Sequence, residues 1–499
     1  MGFTQFLFKR SLSFLAMLFV VAVGLHAWED HDHLTALALA DEAFASGTVA
    51  AEPLEAFLAA EKAGLASLFA TLEVRARKEL SYYLPLPANL AFSGSDSGPE
   101  LRAAFLRALR VNPNMLLPLF VQTSAWDAKT RPPLPLAAAD LYQSRVPKPP
   151  FEKLAPGEKV TIREVLAAAS DEPDYGMDIG LYEDTGTAVG KIYGLGKQPF
   201  GNPALSYGSQ ASIHMAFPRE DPVIKLAAPF TQKSLLPYRV MLYENLARFA
   251  FAKGHDYWGW RFAGWALHYL GDMTQPYHAS LLPSKTTAQI LWLNLTGSVD
   301  DKAKALVLLS NRHVLLEDYF YGAMAEYPGP SATGTAVVSP IYAALRGASD
   351  FAKRGLPPWR HGFEYDVLAS RAYDRAAALD RLLSATFPAK YVSDPAYEYG
   401  LKNVGATREY DPHSRLRAED PAAAARLDSA AAEIFADYGN AIRAFTASVR
   451  DSAGVVPPRR AAADLRALLY IAAMLTVAAL VIVLLVVAAR RRRAKGALR

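Results

Sequence analysis

The segment from Trp258 to His278, WGWRFAGWALHYLGDMTQPYH, constrains the fold more than any other part of the chain. Residues four apart share one face of an α-helix, so His268 and Asp272 can bind the same ion. Pro276 disfavours a helix interior, which predicts a turn there and the return of His278 toward that ion. Unpaired buried polar groups are costly, so this pair on an apolar helix indicates a metal site. A satisfied core histidine beside a capping aspartate is the structural alternative.

Further segments carry metal-ligand residue types. They are WEDHDH at 28–33, EPDY at 172–175, His214 after a stretch rich in Gly, Ser and Asn, and the i, i+4 pair His313 and Glu317. Because the chain has no cysteine, any zinc site has to use imidazole, carboxylate and backbone groups. The same absence excludes disulfides, so stability has to come from core packing and bound metal.

Together these motifs resemble the zinc-dependent phospholipase C and single-strand nuclease superfamily. The family signature HYxGDxxxPxH is matched from His268 to His278, and the PDY triplet is matched at 173–175. The family's mature N-terminal tryptophan is matched by Trp28, directly after a signal-like segment that ends at Ala27. The resemblance covers about residues 28–320 and implies an all-α, multi-helix domain that holds three zinc ions.

The resemblance also implies a ligand set for each ion. The first ion is implied to take Asp174, His214, His268 and Asp272. The second is implied to take His278, His313 and Glu317, with room for water. The third is implied to take the amine and carbonyl of Trp28 together with His33, with Asp272 bridging it to the first ion.

Two of these ligands have competitors. About 39 residues separate Asp174 from His214, more than is usual in the family, so Asp178 or Asp184 could replace Asp174. His31 competes with His33, although the spacing from Trp28 fits His33 in the nuclease branch.

The function implied is phosphodiester hydrolysis of the phospholipase C type, in which a zinc-bound hydroxide attacks phosphorus. Asp174 is the candidate general base, and Tyr175 matches a family residue that contacts the lipid head group. A glutamate at Glu317 is usual in the phospholipase branch, which favours a phospholipid or other phosphodiester substrate. A single-strand nuclease or 3′-nucleotidase, with nucleic acid as its partner, is the alternative. A further alternative is a non-catalytic exported protein that zinc only stabilises.

Both ends of the chain predict processing and anchoring. Residues 1–27 have basic residues, an apolar run and small residues near Ala27, which is typical of a signal peptide. Residues 464–489 contain an uncharged apolar run of about 23 residues, long enough to span a bilayer. The basic tail at 490–499 places this tail in the cytoplasm and the catalytic domain in the periplasm or outside the cell.

Removing the terminal segments changes the charge balance. The N-terminal segment holds two basic residues and the tail six; subtracting these eight from 53 leaves 45 Lys and Arg against 49 Asp and Glu. A mildly acidic domain lacks the broad basic surface of a nonspecific duplex binder.

Helical patterns cover most of the rest. We expect helices within 34–84, at 101–110, at 222–253 and at 256–275, and a Pro-rich elaboration at 85–160. The predicted organisation is a zinc-dependent phosphoesterase domain at 28–335, a helical extension at 336–451 and a linker at 452–463.

Overall fold

The structure is a computed structural model that describes residues 30–122, 130–141, 151–202, 208–325, 339–347, 355–403 and 408–451. The predicted signal peptide, Trp28, the linker and the anchor with its basic tail lie outside these ranges. No helix within them combines the length and the hydropathy that a bilayer crossing requires.

The described chain is mostly helical, in agreement with the predicted all-α class. Its helices are α1 His31–Ala38, α2 Leu54–Glu79, α3 Gly98–Leu109, α4 Ile162–Asp171, α5 Ala211–His214, α6 Pro222–Ala227, α7 Leu236–Ala252, α8 Asp256–Asp272, α9 Pro276–Ala279, α10 Thr287–Thr296, α11 Val299–Ala325, α12 Pro340–Leu345, α13 Ala369–Thr386, α14 Ala389–Val392, α15 Tyr399–Lys402, α16 Pro412–Glu419 and α17 Pro421–Asp451. A π-helical turn, Glu364–Leu368, leads into α13.

Two small antiparallel sheets interrupt the helices. The strands are β1 Thr48–Ala50, β2 Phe120–Gln122, β3 Pro133–Leu134, β4 Phe151–Lys153 and β5 Lys159–Thr161. β1 pairs with β5, and β4 lies between β2 and β3. The Pro-rich elaboration therefore contains short strands as well as the expected helix. The expectation of one helix among loops was incomplete there, because three-residue strands give too little alternation to detect.

Proline explains where the predicted long helices break. The helix expected at 222–253 divides into α6, a 3₁₀ turn at Pro229–Gln232, and α7, which has Pro237 in its first turn. The helices expected within 34–84 are present as α1 and α2, and Pro53 lies immediately before α2. A proline lacks the N–H that a helix interior needs, so it is tolerated only in the first turn.

α8 lies at the centre of the core. Every residue of α8 after Asp256 is buried, and the helix packs against α4, α7 and α17. A capping box between Thr161 and Glu164 begins α4 and sets its direction along α8. One hydrophobic core extends from Leu34 in α1 to Val449 in α17. The helices of the predicted extension therefore share the core of the domain that carries the ligands.

Candidate metal centre

His268 and Asp272 lie on one buried face of α8, with 3.5 Å between His268 Nε2 and Asp272 Oδ2. α4 approaches α8 closely at Gly264, where an added Cβ would lie 2.5 Å from the Cβ of Ala169. The close approach brings the Ser170 carbonyl oxygen to 2.9 Å from His268 Nδ1. When His268 Nδ1–H donates to this carbonyl, the Nε2 lone pair is left free for an ion.

The chain turns after α8 and brings His278 to the same carboxylate. The side chain of Gln275 caps α9 by accepting a hydrogen bond from the Tyr277 N–H, and Pro276 occupies the first turn. His278 Nδ1 lies 3.4 Å from Asp272 Oδ1. Asp272 therefore presents its two oxygens to histidines on both sides of the turn.

His214 approaches from α5. Its Nδ1 lies 3.0 Å from His268 Nε2 and 3.1 Å from Asp272 Oδ2. Its Nε2 lies 3.3 Å from an oxygen of Asp178, whose other oxygen accepts a hydrogen bond from the buried Arg239. One nitrogen of His214 thus faces the shared carboxylate, and the other faces a carboxylate that fixes the ring.

Asp174 joins these two histidines from the 3₁₀ turn Glu172–Tyr175 that follows α4. Glu172 holds the turn against α8, because it accepts hydrogen bonds from Arg261 and Trp265. Asp174 Oδ1 lies 3.7 Å from His268 Nε2. Ligand atoms of Asp174, His214 and His268 all lie within 4.8 Å of one another.

The two competitors of Asp174 lie elsewhere. Asp178 is completely buried and contacts His214 from behind, on the side away from Asp272. Asp184 is exposed and accepts a hydrogen bond from the backbone N–H of Gln198. The structure therefore places Asp174, rather than Asp178 or Asp184, among the converging ligand atoms.

A second group forms between α9 and α11. It consists of His278, His313 and Glu317, whose ligand atoms also lie within 4.8 Å of one another. His313 Nε2 lies 2.7 Å from Glu317 Oε1, as the i, i+4 spacing favours. The side-chain amide of Gln275 donates to the same glutamate oxygen at 3.0 Å. All three members are buried.

The third group differs from the one that the resemblance implied. His31, not His33, joins His268 and Asp272, with His31 Nε2 3.7 Å from Asp272 Oδ1. Residues two apart on a helix point to nearly opposite sides, so α1 can turn only one of these histidines toward the centre. His33 belongs to none of the groups found among the described residues, and burial lowers its pKa to about 3. Trp28 lies outside the described residues.

Charges in the centre are strongly coupled. Burial opposes ionisation of Asp272, but the surrounding histidines outweigh it and hold its pKa well below the usual range. Burial likewise opposes protonation of His214, yet its bonds to Asp178 and Asp272 raise its pKa to about 10. Burial lowers the pKa of His268 to about 4 and raises that of Glu317 well above its ordinary value.

Three buried atoms of the centre point to cations as their missing partners. Asp272 Oδ1, His278 Nδ1 and Glu317 Oε2 form no hydrogen bond with the part of the chain that the structure describes. Buried polar atoms are normally satisfied, because leaving them unpaired costs free energy. The three His/Asp/Glu groups could therefore hold metal ions, and the residues present fit such ions.

Tyr175, the predicted contact for a lipid head group, is buried beneath the centre. Its hydroxyl donates to Asp171 Oδ2 at 2.6 Å, and its ring packs beside Phe151. Its exposed fraction is 1%, so the described conformation gives it no surface toward a substrate.

Several residues that support the ligands were not anticipated from the sequence. Asp178 was weighed only as a ligand, and its placement behind His214 was not foreseen. Tyr438 of α17 places its hydroxyl 2.9 Å from His31 Nδ1. The small residue Gly271 permits this contact, because a Cβ there would lie 2.4 Å from the Tyr438 ring. A glycine within an apolar helix was the available signal of a close approach.

Comparison of the chain with protein families, with curated proteins and with solved structures finds no match. The functional argument therefore rests on the residues of the centre and on their geometry.

Proposed function

We propose that this protein is a zinc-dependent phosphodiester hydrolase of the phospholipase C type. The observation that carries the proposal is the convergence of three buried His/Asp/Glu groups around Asp272. Imidazole and carboxylate donors without cysteine suit zinc, which accepts nitrogen and oxygen ligands. Clustered divalent ions supply activated water and stabilise charge on phosphoryl oxygens in such reactions.

The protein groups have distinct roles in this proposal. Asp272 would hold the ions together, because His31, His214, His268 and His278 all lie within 3.7 Å of its oxygens. Asp174 belongs to the same group as His214 and is less completely buried than Asp272. Asp174 is therefore the candidate to orient a water molecule or to accept its proton.

The second group supports an open coordination position. It offers three protein ligands, His278, His313 and Glu317, and three protein ligands plus water is the usual arrangement of a catalytic zinc. This count favours an enzyme over a protein in which zinc only stabilises the fold. Gln275 holds one oxygen of Glu317, which leaves the other oxygen for the ion.

The proposal is tested with the purified full chain. Bound metals are measured first, and hydrolysis is then followed on a phospholipid panel, a soluble phosphodiester and single-stranded DNA. We expect the protein to contain bound zinc and to hydrolyse both phospholipid and the soluble phosphodiester. A chelator should abolish this hydrolysis, and added zinc should restore it. If single-stranded DNA is the only substrate that is cleaved, the protein is a nuclease, as in the alternative. Bound zinc without hydrolysis of any substrate would leave a structural metal site.

A further inference from the structure

α10, which follows the segment around His278 in the chain, presents apolar side chains to solvent. None of its residues is buried, and Trp292 and Leu295 are 69% and 80% exposed. Between Leu281 and Val299 the chain has one charged residue, Lys285. A capping box between Thr286 and Gln289 begins the helix, which packs on α6 and α11. Ten residues alone would make only a marginal helix in water.

An apolar groove lies between α10 and α6. Its empty space is about 520 Å³, part of it open to solvent, and it is lined mainly by Ile224, Phe230, Leu281, Leu282, Ile290 and Leu306. Leu226, on the packed neighbour α6, adds a further side chain that is 67% exposed. Soluble proteins rarely expose large contiguous apolar patches, so this combination indicates an interaction surface.

The groove connects directly to the ligand segments. Leu281 and Leu282 follow His278 closely in sequence and pack with Met215, the neighbour of His214, in a small core separate from the main one. The backbone N–H of Ala216 donates to the carbonyl of His278 at 3.0 Å and joins the two segments. The groove is therefore built on the chain segments that follow two of the candidate ligands, His214 and His278.

We propose that α10 and this groove form a lipid-docking surface, in which Trp292 and Leu295 enter a bilayer and the groove takes hydrocarbon from a lipid. A surface so nearly free of charge matches acyl chains, and tryptophan favours the membrane interface. The inference rests on the proposed function in one respect, since it gives the same centre a substrate that lies in a bilayer.

The chain beyond α17 supports this choice of occupant. α17 ends at Asp451, and the predicted membrane span begins at residue 464. The 12 residues between them reach at most about 40 Å when fully extended. A span at 464–489 would hold the domain within that distance of a membrane, where an exposed apolar helix meets lipid at high effective concentration.

Tryptophan quenching in vesicles tests the surface in the full chain. The protein is reconstituted in phosphatidylcholine vesicles, with or without bromine on the acyl chains. We expect the brominated lipid to lower the emission of the wild type, and Trp292→Phe to remove most of that loss. Hydrolysis would not disturb the measurement, because the brominated acyl chains remain in the bilayer after head-group cleavage.

A matched position provides the control. Val74 of α2 is 67% exposed, close to the exposure of Trp292. Placing the probe there, as Val74→Trp in the Trp292→Phe background, should not restore the quenching. Equal emission of the wild type in both lipids would overturn the proposal. Quenching of Trp292 by aqueous iodide can also be measured without lipid. If Trp292 becomes more protected from iodide as the protein concentration rises, the surface binds a second copy of the chain, and the lipid-docking proposal is overturned.

The outcomes separate this inference from the proposed function. If Trp292 is quenched but no phosphoester is cleaved, docking stands and the proposed hydrolysis fails. If a soluble phosphodiester is cleaved without quenching of Trp292, hydrolysis stands and the docking surface is wrong.

Discussion

Asp272 is the residue on which the whole centre depends. One carboxylate on α8 faces four imidazoles that arrive from α1, α5, α8 and α9. In the absence of a cation the same histidines keep its pKa low, so it stays ionised. A neutral side chain of the same shape would remove the charge on which all of these contacts depend.

We therefore predict that Asp272→Asn loses most of the bound zinc and nearly all hydrolysis. An amide is a much weaker zinc ligand than a carboxylate, and it cannot bridge two ions as a carboxylate does. Metal content per chain, measured by mass spectrometry of the purified protein, checks the prediction. His255→Gln is the control, because His255 pairs with Glu52 outside the three groups. Normal zinc content in Asp272→Asn would contradict the assignment.

The choice between His31 and His33 gives a second prediction. Of these two histidines, His31 is the one that faces Asp272 in the structure. His31→Ala should lower the zinc content by about one ion per chain, since each ion needs several protein ligands. His33→Ala should keep the wild-type content, and the two variants control for each other. If His33→Ala loses zinc and His31→Ala does not, His33 is the ligand, as the family resemblance implied.

Protons held by the metal-free centre give a third prediction. Although burial opposes its protonation, the bonds of His214 to Asp178 and Asp272 raise its pKa to about 10, so without metal this histidine holds a proton at pH 7. Burial raises the pKa of Glu317 well above its ordinary value. Zinc requires their deprotonated forms, so binding should release protons, and the affinity should fall as the pH falls. Calorimetry in buffers of different ionisation enthalpy measures the number released. Proton uptake on binding would contradict this charge state.

At the scale of elements, α17 completes the centre from the far end of the chain. Tyr438 contacts His31 on the nitrogen away from Asp272, and Gly271 provides the space for its ring. Such a contact orients an imidazole without touching the metal. Tyr438 is thus a positioning residue rather than a catalytic one.

We predict that Tyr438→Phe weakens zinc binding by roughly 10- to 100-fold, the usual effect of losing a hydrogen bond that orients a metal ligand. The ring keeps its packing, so the thermal stability of the zinc-loaded protein at saturating zinc should change little. Competition with a chelator of known affinity measures the effect. Tyr277→Phe is a comparison on another buried tyrosine, whose hydroxyl bonds to Asp380 instead of a group member. Equal losses in both variants would point to a general packing effect.

The sequence predicted best what depends on neighbours along the chain. The i, i+4 pairs of α8 and α11 and the turn at Pro276 follow from helix periodicity and from proline geometry. The division of 222–253 into α6 and α7 was missed, although Pro229 and Pro237 signalled it. Local sequence patterns therefore predicted the i, i+4 pairs and the turn at Pro276, but they missed a break in a predicted helix.

Contacts between distant segments were beyond such patterns. The placement of Asp178 behind His214 depends on how α5 meets the loop after α4, and no spacing encodes this. The orientation of α1 likewise decides between His31 and His33, and a shift of two residues reverses the result. The exposed apolar face of α10 resembles a buried helix in sequence, so only the structure distinguishes them.

At the scale of the whole molecule, metal and core act together. The ligand segments come from five helices and one turn that share a single main core, and the chain has no disulfide to hold them. An ion that binds only the folded state stabilises it by mass action. Binding energy at the centre should therefore appear as stability of the entire domain.

We predict that removal of zinc lowers the melting temperature and that zinc restores it in a concentration-dependent way. A site held 100-fold above its dissociation constant adds about 2.7 kcal/mol to the free energy of unfolding. Differential scanning calorimetry of the chelated and reloaded protein measures the shift. Asp272→Asn should show a much smaller response to zinc. An unchanged melting temperature in the wild type would argue against ions bound at the three groups.

The contact between His31 and Tyr438 also sets an order of events during synthesis, because the two residues lie 407 positions apart in the sequence. At typical translation rates the ribosome needs roughly 20 to 80 s to make this intervening stretch. Until α17 emerges, His31 lacks the hydroxyl that orients it. An interrupted polypeptide would thus contain every described ligand and still hold the third group loosely. The three groups would therefore be fully positioned only after α17 has been synthesised.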